Sequence, residues 1–142
     1  MSKGTFDNFN NRIMNYEGVI IEESLDNTGI LGDVKILKTK VEPVIEKHKT
    51  PWLKQWTLHT VEITEENGDN VAHQLSKSLE KEHAWYSDFK NNNYHFIIYR
   101  DKVFKVDLKN SILYKDAKQY GILLGIPEYQ VDFAPKDKIW ER

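Results

Sequence analysis

NYHFIIYRDKVFKVDL, residues 93–108, holds two runs of β-branched and aromatic residues divided by Arg100-Asp101. Such runs around a two-residue break read as a β-hairpin even without the favoured Asn-Gly or Asp-Gly pair. A turn of that length sets Ile98 opposite Val103 and Ile97 opposite Phe104. Because Phe96 and Ile98 alternate with His95 and Ile97, the hairpin is apolar on both faces, and cover is expected on each.

Working outward, SILYKDAKQYGILLG (111–125) places Leu113, Ala117, Tyr120, Gly121 and Leu124 on one helical stripe, with Asn110 or Ser111 as N-cap. Upstream, Val71, Ala72, Leu75 and Leu79 form a second stripe, which predicts an amphipathic helix over 66–82. LKQWTLHTVEI (53–63) alternates with bulk on both sides and reads as a central strand, and YQVDF (129–133) as a final short one. The segment HAWYSDFKNNN (83–93) reads as aromatics leading into an Asn loop.

From residue 53 the order is strand, helix, strand, strand, helix, strand, which is the ferredoxin-like βαββαβ order and packs both helices on one sheet face. Two further strands precede it. EGVIIEE (17–23) and VKILKTKVEPV (34–44) flank the turn-rich LDNTGILGD and are expected to pair as an N-terminal hairpin. In the second, Val34 and Ile36 fall on one face and Lys35 and Leu37 on the other. The expected fold class is therefore α+β: an antiparallel sheet with two helices, preceded by a β-hairpin. Residues 16–135 read as one domain, 1–15 as a flexible arm and 136–142 as a tail. The hairpin or a second copy of the chain is the expected cover for the free sheet face.

The 142 residues suffice for a single hydrophobic core without a metal or disulfide staple. Cysteine is absent, which excludes disulfides, thiolate metal sites and cysteine nucleophiles. No Gly-rich phosphate loop, G-x-S-x-G, H-E-x-x-H or Ca²⁺-loop spacing occurs. Neither a metal nor a cofactor is expected. The first residues lack the apolar run of a secretory signal, and the longest apolar run, ILLGI, is far too short to span a bilayer, so a cytoplasmic location is expected.

TPWLKQWTLHTVEI (50–63), WYSDFKNNNYHFIIYRDKVFKVD (85–107) and YGILLGIPEYQVDF (120–133) together resemble an uncharacterised family of small prokaryotic cytoplasmic proteins. The resemblance implies an intact domain in a bacterial or archaeal cytoplasm. It implies no activity, cofactor or catalytic residue.

Charge is unevenly distributed. Between 35 and 56 lie Lys35, Lys38, Lys40, Lys47, Lys49 and Lys54 against Glu42 and Glu46, in a chain of net charge −2. With Trp52 and Trp56 interleaved, the segment suits phosphate contact plus stacking, while lysines on an edge strand are also the ordinary guard against aggregation. His59 and His95 fall inside expected strands, about 9–10 Å apart if one strand separates them. They flank a single ligand on this reading, or are core imidazoles satisfied by hydrogen bonds. Asp88 lies among Trp85, Tyr86 and Phe89, a setting for a general acid or for a turn cap. Tyr94 adds to an aromatic surface suited to a partner.

The candidate ligand-binding residues are therefore Trp52, Lys54, Trp56, His59, Asp88, Tyr94 and His95. They point to a non-enzymatic binding module, self-associating, for a small anionic ligand or a protein partner. The alternatives are a small hydrolase or nucleotide-processing enzyme using His59, His95 or Asp88, and nucleic-acid binding through 35–56.

Overall fold

A computed structural model describes residues 14–134. The arm expected at 1–15, save its last two residues, and the tail at 136–142 lie outside the described residues. Six strands form one antiparallel sheet: β1 (Tyr16–Ile21), β2 (Lys35–Pro43), β3 (Gln55–Ile63), β4 (Tyr86–Lys90), β5 (Tyr94–Tyr99) and β6 (Lys102–Asp107). Two described α-helices, α1 (Gly68–Ser78) and α2 (Leu113–Leu123), complete the framework. Among the described residues no helix is long and apolar enough to cross a membrane.

The β5–β6 hairpin forms in the expected register, with Ile98 opposite Val103 and Ile97 opposite Phe104. Asp101 takes positive φ (59°) at the turn, a conformation its short polar side chain tolerates. From α1, the Ser76 hydroxyl donates to the Tyr99 carbonyl (2.6 Å) and accepts from the Lys102 N–H (3.0 Å). The Arg100 guanidinium donates to the Leu79 and Lys77 carbonyls, which places a cation at the negative end of that helix.

The ferredoxin-like expectation fails on topology. The sheet order is β2-β3-β1-β4-β5-β6, so β1 lies inside, between β3 and β4, and makes no hairpin with β2. The intervening residues cross over β3 through two 3₁₀ turns, Glu22–Ser24 and Thr28–Asp33. YSDFK, read from sequence as part of a loop approach, is β4, a central strand. YQVDF makes no strand; Glu128–Gln130 is a 3₁₀ turn, after which Val131 and Phe133 are buried as core rather than paired.

The helices also sit on opposite faces of the sheet rather than sharing one. Val71, Ala72 and Leu75 of α1 pack with Tyr16, Ile20, Val61, Ile63, Phe89, Phe96 and Ile98. Tyr114 and Ala117 of α2 pack with Ile97, Tyr99, Val106, Val131 and Phe133. The doubly apolar β5–β6 hairpin is thus covered on both sides from within the chain, by α1 on one face and by α2 with the 126–134 segment on the other. Neither an N-terminal hairpin nor a second copy is needed there.

Close approach of strands explains one glycine. Gly18 on β1 faces Phe89 across the ladder, and a Cβ there would stand 2.3 Å from the Asp88 carbonyl oxygen and 2.7 Å from Phe89 Cβ. Glycine lets the two central strands meet beneath the Tyr16, Phe89 and Phe96 rings, which pack edge-on or tilted at 5.0–5.2 Å.

Candidate functional site

The seven candidate residues do not converge. β1 and β4 both lie between β3 and β5, so His59 and His95 are three strand spacings apart, roughly 14 Å. They also point to opposite sides. Register sets His59 beside Ile20 on the α1 face, whereas His95 contacts Tyr114 of α2. One ligand between the two imidazoles is ruled out by that geometry.

His95 is sealed at 0% exposure. Its Nε2 lies 2.7 Å from Asp88 Oδ2 and its Nδ1 2.7 Å from the Tyr114 hydroxyl. With Nε2–H donating to the carboxylate, Nδ1 accepts from the phenol. Burial and the nearby Asp88 charge push the Tyr114 phenol up to about 12, which keeps it a donor. Asp88 and His95 were both visible in sequence; their pairing follows from β4 lying against β5, where Asp88 stands opposite Ile97. The chain of three ties α2 to the sheet centre.

On the other face, His59 is 7% exposed. Its Nδ1 lies 2.8 Å from Thr39 Oγ1 on β2, and its Nε2 2.8 Å from Glu22 Oε1. Glu23 beside it accepts from both the N–H and the hydroxyl of Thr57, at 2.6 and 2.8 Å. These bonds fasten the crossover turn to β3 and β3 to the outer strand. Nothing in local spacing connects Glu22 or Thr39 with His59, since they are 37 and 20 residues away.

Trp52 and Trp56 join Trp85 in an aromatic cluster where β3 begins. Trp52 stacks on His83 (3.6 Å, 12°) and meets Trp85 edge-on, while Trp56 packs tilted against Trp85 and edge-on to His48. Burial pushes the Glu80 carboxyl up, but bonds from His83, the Glu82 N–H and Trp85 Nε1 outweigh it and hold it below the ordinary carboxylate range. Trp52 keeps 45% of its surface exposed. Lys54 is exposed beside it, and a shallow cavity of about 320 Å³ lined by Val44, Ile45, Lys49, Thr50 and Leu53 lies nearby. Tyr94 stands apart near the other edge, its ring under Lys105 Nζ at 4.4 Å.

The most open element is β2. Every residue from Lys35 to Val41 is exposed, including Ile36, Leu37 and Val41, the last at 55%. Its inner side is paired to β3 except at a register slip between Ile36 and Lys38; it is the outermost strand and has no other strand partner among the described residues. Lys40 approaches Glu42 at 3.8 Å, whereas Lys35 and Lys38 enter no ion pair among the described residues. The other outer strand, β6, contacts both helices. No group of three His, Asp or Glu side chains able to hold a metal occurs among the described residues.

No family model, no curated protein and no solved structure matches the chain. The resemblance drawn from the sequence therefore gains no support there.

Proposed function

We propose that the chain is a binding module that engages an acidic protein partner along β2. The observation that carries this reading is the strand itself: seven consecutive exposed residues on an outer strand, with lysines and aliphatic side chains together. Exposed edges are ordinarily guarded by lysines, bulges or cover, because their backbone groups recruit other chains; β2 has lysines and a bulge, yet leaves Ile36, Leu37 and Val41 in the open. Here the lysines deter other basic or neutral strands and attract acidic ones.

The enzymatic alternative has less to support it, since His95 is sealed beneath α2 in contact with Asp88 and His59 is nearly buried on the opposite face. A nucleic acid is the weaker match to β2. Ile36, Leu37 and Val41 offer nothing to phosphates, and Trp52, the nearest exposed indole, is already stacked on His83. Self-association along β2 brings like charges together, so the partner is a different chain.

Fluorescence anisotropy of labelled polyglutamate, polylysine and single-stranded oligothymidine against the full chain tests the reading. Polyglutamate is expected to bind, with affinity falling as salt is added and lost in the K35E/K38E/K40E variant. Tighter binding of oligothymidine than of polyglutamate at equal salt rejects the acidic-protein reading in favour of nucleic acid.

A further inference from the structure

Resting on that reading of β2, we propose that the partner joins the sheet as an additional strand whose sequence alternates acidic and apolar residues. The pattern comes from a β-bulge. Across the ladder, Lys35 stands opposite Glu62 and Ile36 opposite Val61; the register then slips, and Lys38 stands opposite Thr60, Thr39 opposite His59, Lys40 opposite Leu58 and Val41 opposite Thr57. Glu62, Thr60 and Leu58 alternate along β3 and share one face, so Lys35, Lys38 and Lys40 share it too.

In a regular strand, residues three apart point to opposite faces, and Lys35 would part company with Lys38 and Lys40. The extra residue near Leu37 brings the three ammonium groups into one row. The opposite face carries Ile36, Thr39 and Val41 in a second, mostly apolar row. An incoming antiparallel strand places its side chains about 4.5–5.5 Å from these two rows. Acidic residues at every second position meet the lysines, and aliphatic residues between them meet Ile36 and Val41.

A second copy is a poor occupant, because two β2 strands paired antiparallel set both lysine rows on the same face. A folded acidic surface satisfies the lysines but leaves the outward N–H and C=O groups of β2 to water. An extended segment satisfies both, which is the recurrent mode of strand addition.

The test uses the full chain and two capped peptides of identical composition, one alternating Glu and Val, the other with its Glu and Val residues in separate blocks. Anisotropy gives affinity, and amide hydrogen exchange reports β2. The alternating peptide is expected to bind roughly tenfold more tightly than the blocked one, the factor set by a few cross-strand pairs, and to slow exchange at alternate β2 amides. N-methylation of alternate peptide nitrogens abolishes binding in one phase and spares it in the other. The K38E/K40E chain is expected to prefer an alternating Lys/Val peptide.

Equal affinity for both Glu/Val peptides without amide protection overturns strand addition while leaving the charged-edge reading standing. Failure of both peptides and of polyglutamate overturns the two together. A wild-type dimer that K38E/K40E leaves intact and that blocks peptide binding assigns β2 to a second copy and also refutes the proposal.

Discussion

Replacing Gly18 with alanine tests how tightly the middle of the sheet is closed. Strand propensity by itself predicts a gain of roughly 0.5–1 kcal/mol, because alanine loses less backbone freedom on folding than glycine. The packing predicts the reverse. The added Cβ would lie 2.3 Å from the Asp88 carbonyl oxygen and 2.7 Å from Phe89 Cβ, and neither is the free end of a flexible side chain. Reaching an ordinary contact distance of about 3.5 Å requires β1 and β4 to part by roughly an ångström. That movement strains the ladder at Glu17–Lys90 and Val19–Asp88, and it shifts the carboxylate that holds His95. Overpacking costs about 1–3 kcal/mol where side chains can adjust, and a rigid backbone contact puts this site at the upper end, near 3 kcal/mol. For a chain of this size the corresponding fall in Tm is roughly 10 °C. Urea unfolding followed by far-UV circular dichroism measures it, with Gly32→Ala as control, since nothing lies within 4 Å of a Cβ there. If Gly18→Ala is as stable as the control, the close approach of β1 and β4 is wrong.

Ser76→Ala removes the hydroxyl that serves both the Tyr99 carbonyl and the Lys102 N–H and is expected to cost about 2 kcal/mol in the same assay. Ser78→Ala, which loses one bond to the Gln74 carbonyl within the helix, is expected to cost under about 1 kcal/mol. Two tyrosines should ionise late: burial and the charges of Asp69 and Glu65 push Tyr16 up to about 12, and burial and Asp88 do the same for Tyr114. The folded state therefore holds protons that an unfolded phenol releases near 10, so their contribution is intact below about pH 10 and lost as pH rises from 10 to 12. Ultraviolet titration should show a late phenolate step that shrinks in Tyr16→Phe and Tyr114→Phe; a single step near pH 10 contradicts it.

What the sequence disclosed was local. The β5–β6 hairpin announces itself through two apolar runs and a break of fixed length, and both helices through a 3.6-residue repeat. The insertion of β1 between β3 and β4 depends on partners from 37 to more than 70 residues away, and no periodicity reports which strands meet. β4 escaped notice because YSDFK has weak strand character of its own; Asp88 and Ser87 are held by His95 and by the Val19 carbonyl. Val131 and Phe133 alternate like a strand, yet that spacing also serves an irregular segment laid across the core. The bulge was equally hidden, and simple alternation set Lys35 with Leu37 rather than with Lys38 and Lys40. Of the candidate residues, Asp88 and His95 proved to be neighbours, as did Trp52 and Trp56 through Trp85, while His59 and Tyr94 belong to separate surroundings.

Burial is least at β2 and greatest at β5, one strand in from the far edge. All side chains from Phe96 to Tyr99 are shut away from water, as is His95, whereas those from Lys35 to Val41 all meet it. Opening should therefore begin at the β2 flank and reach β5 last, as local unfolding follows the density of apolar cover. The flank can loosen to admit a guest chain, or release one, while the hub of the domain stays closed: adaptability is quartered at the rim of the sheet and endurance in its interior.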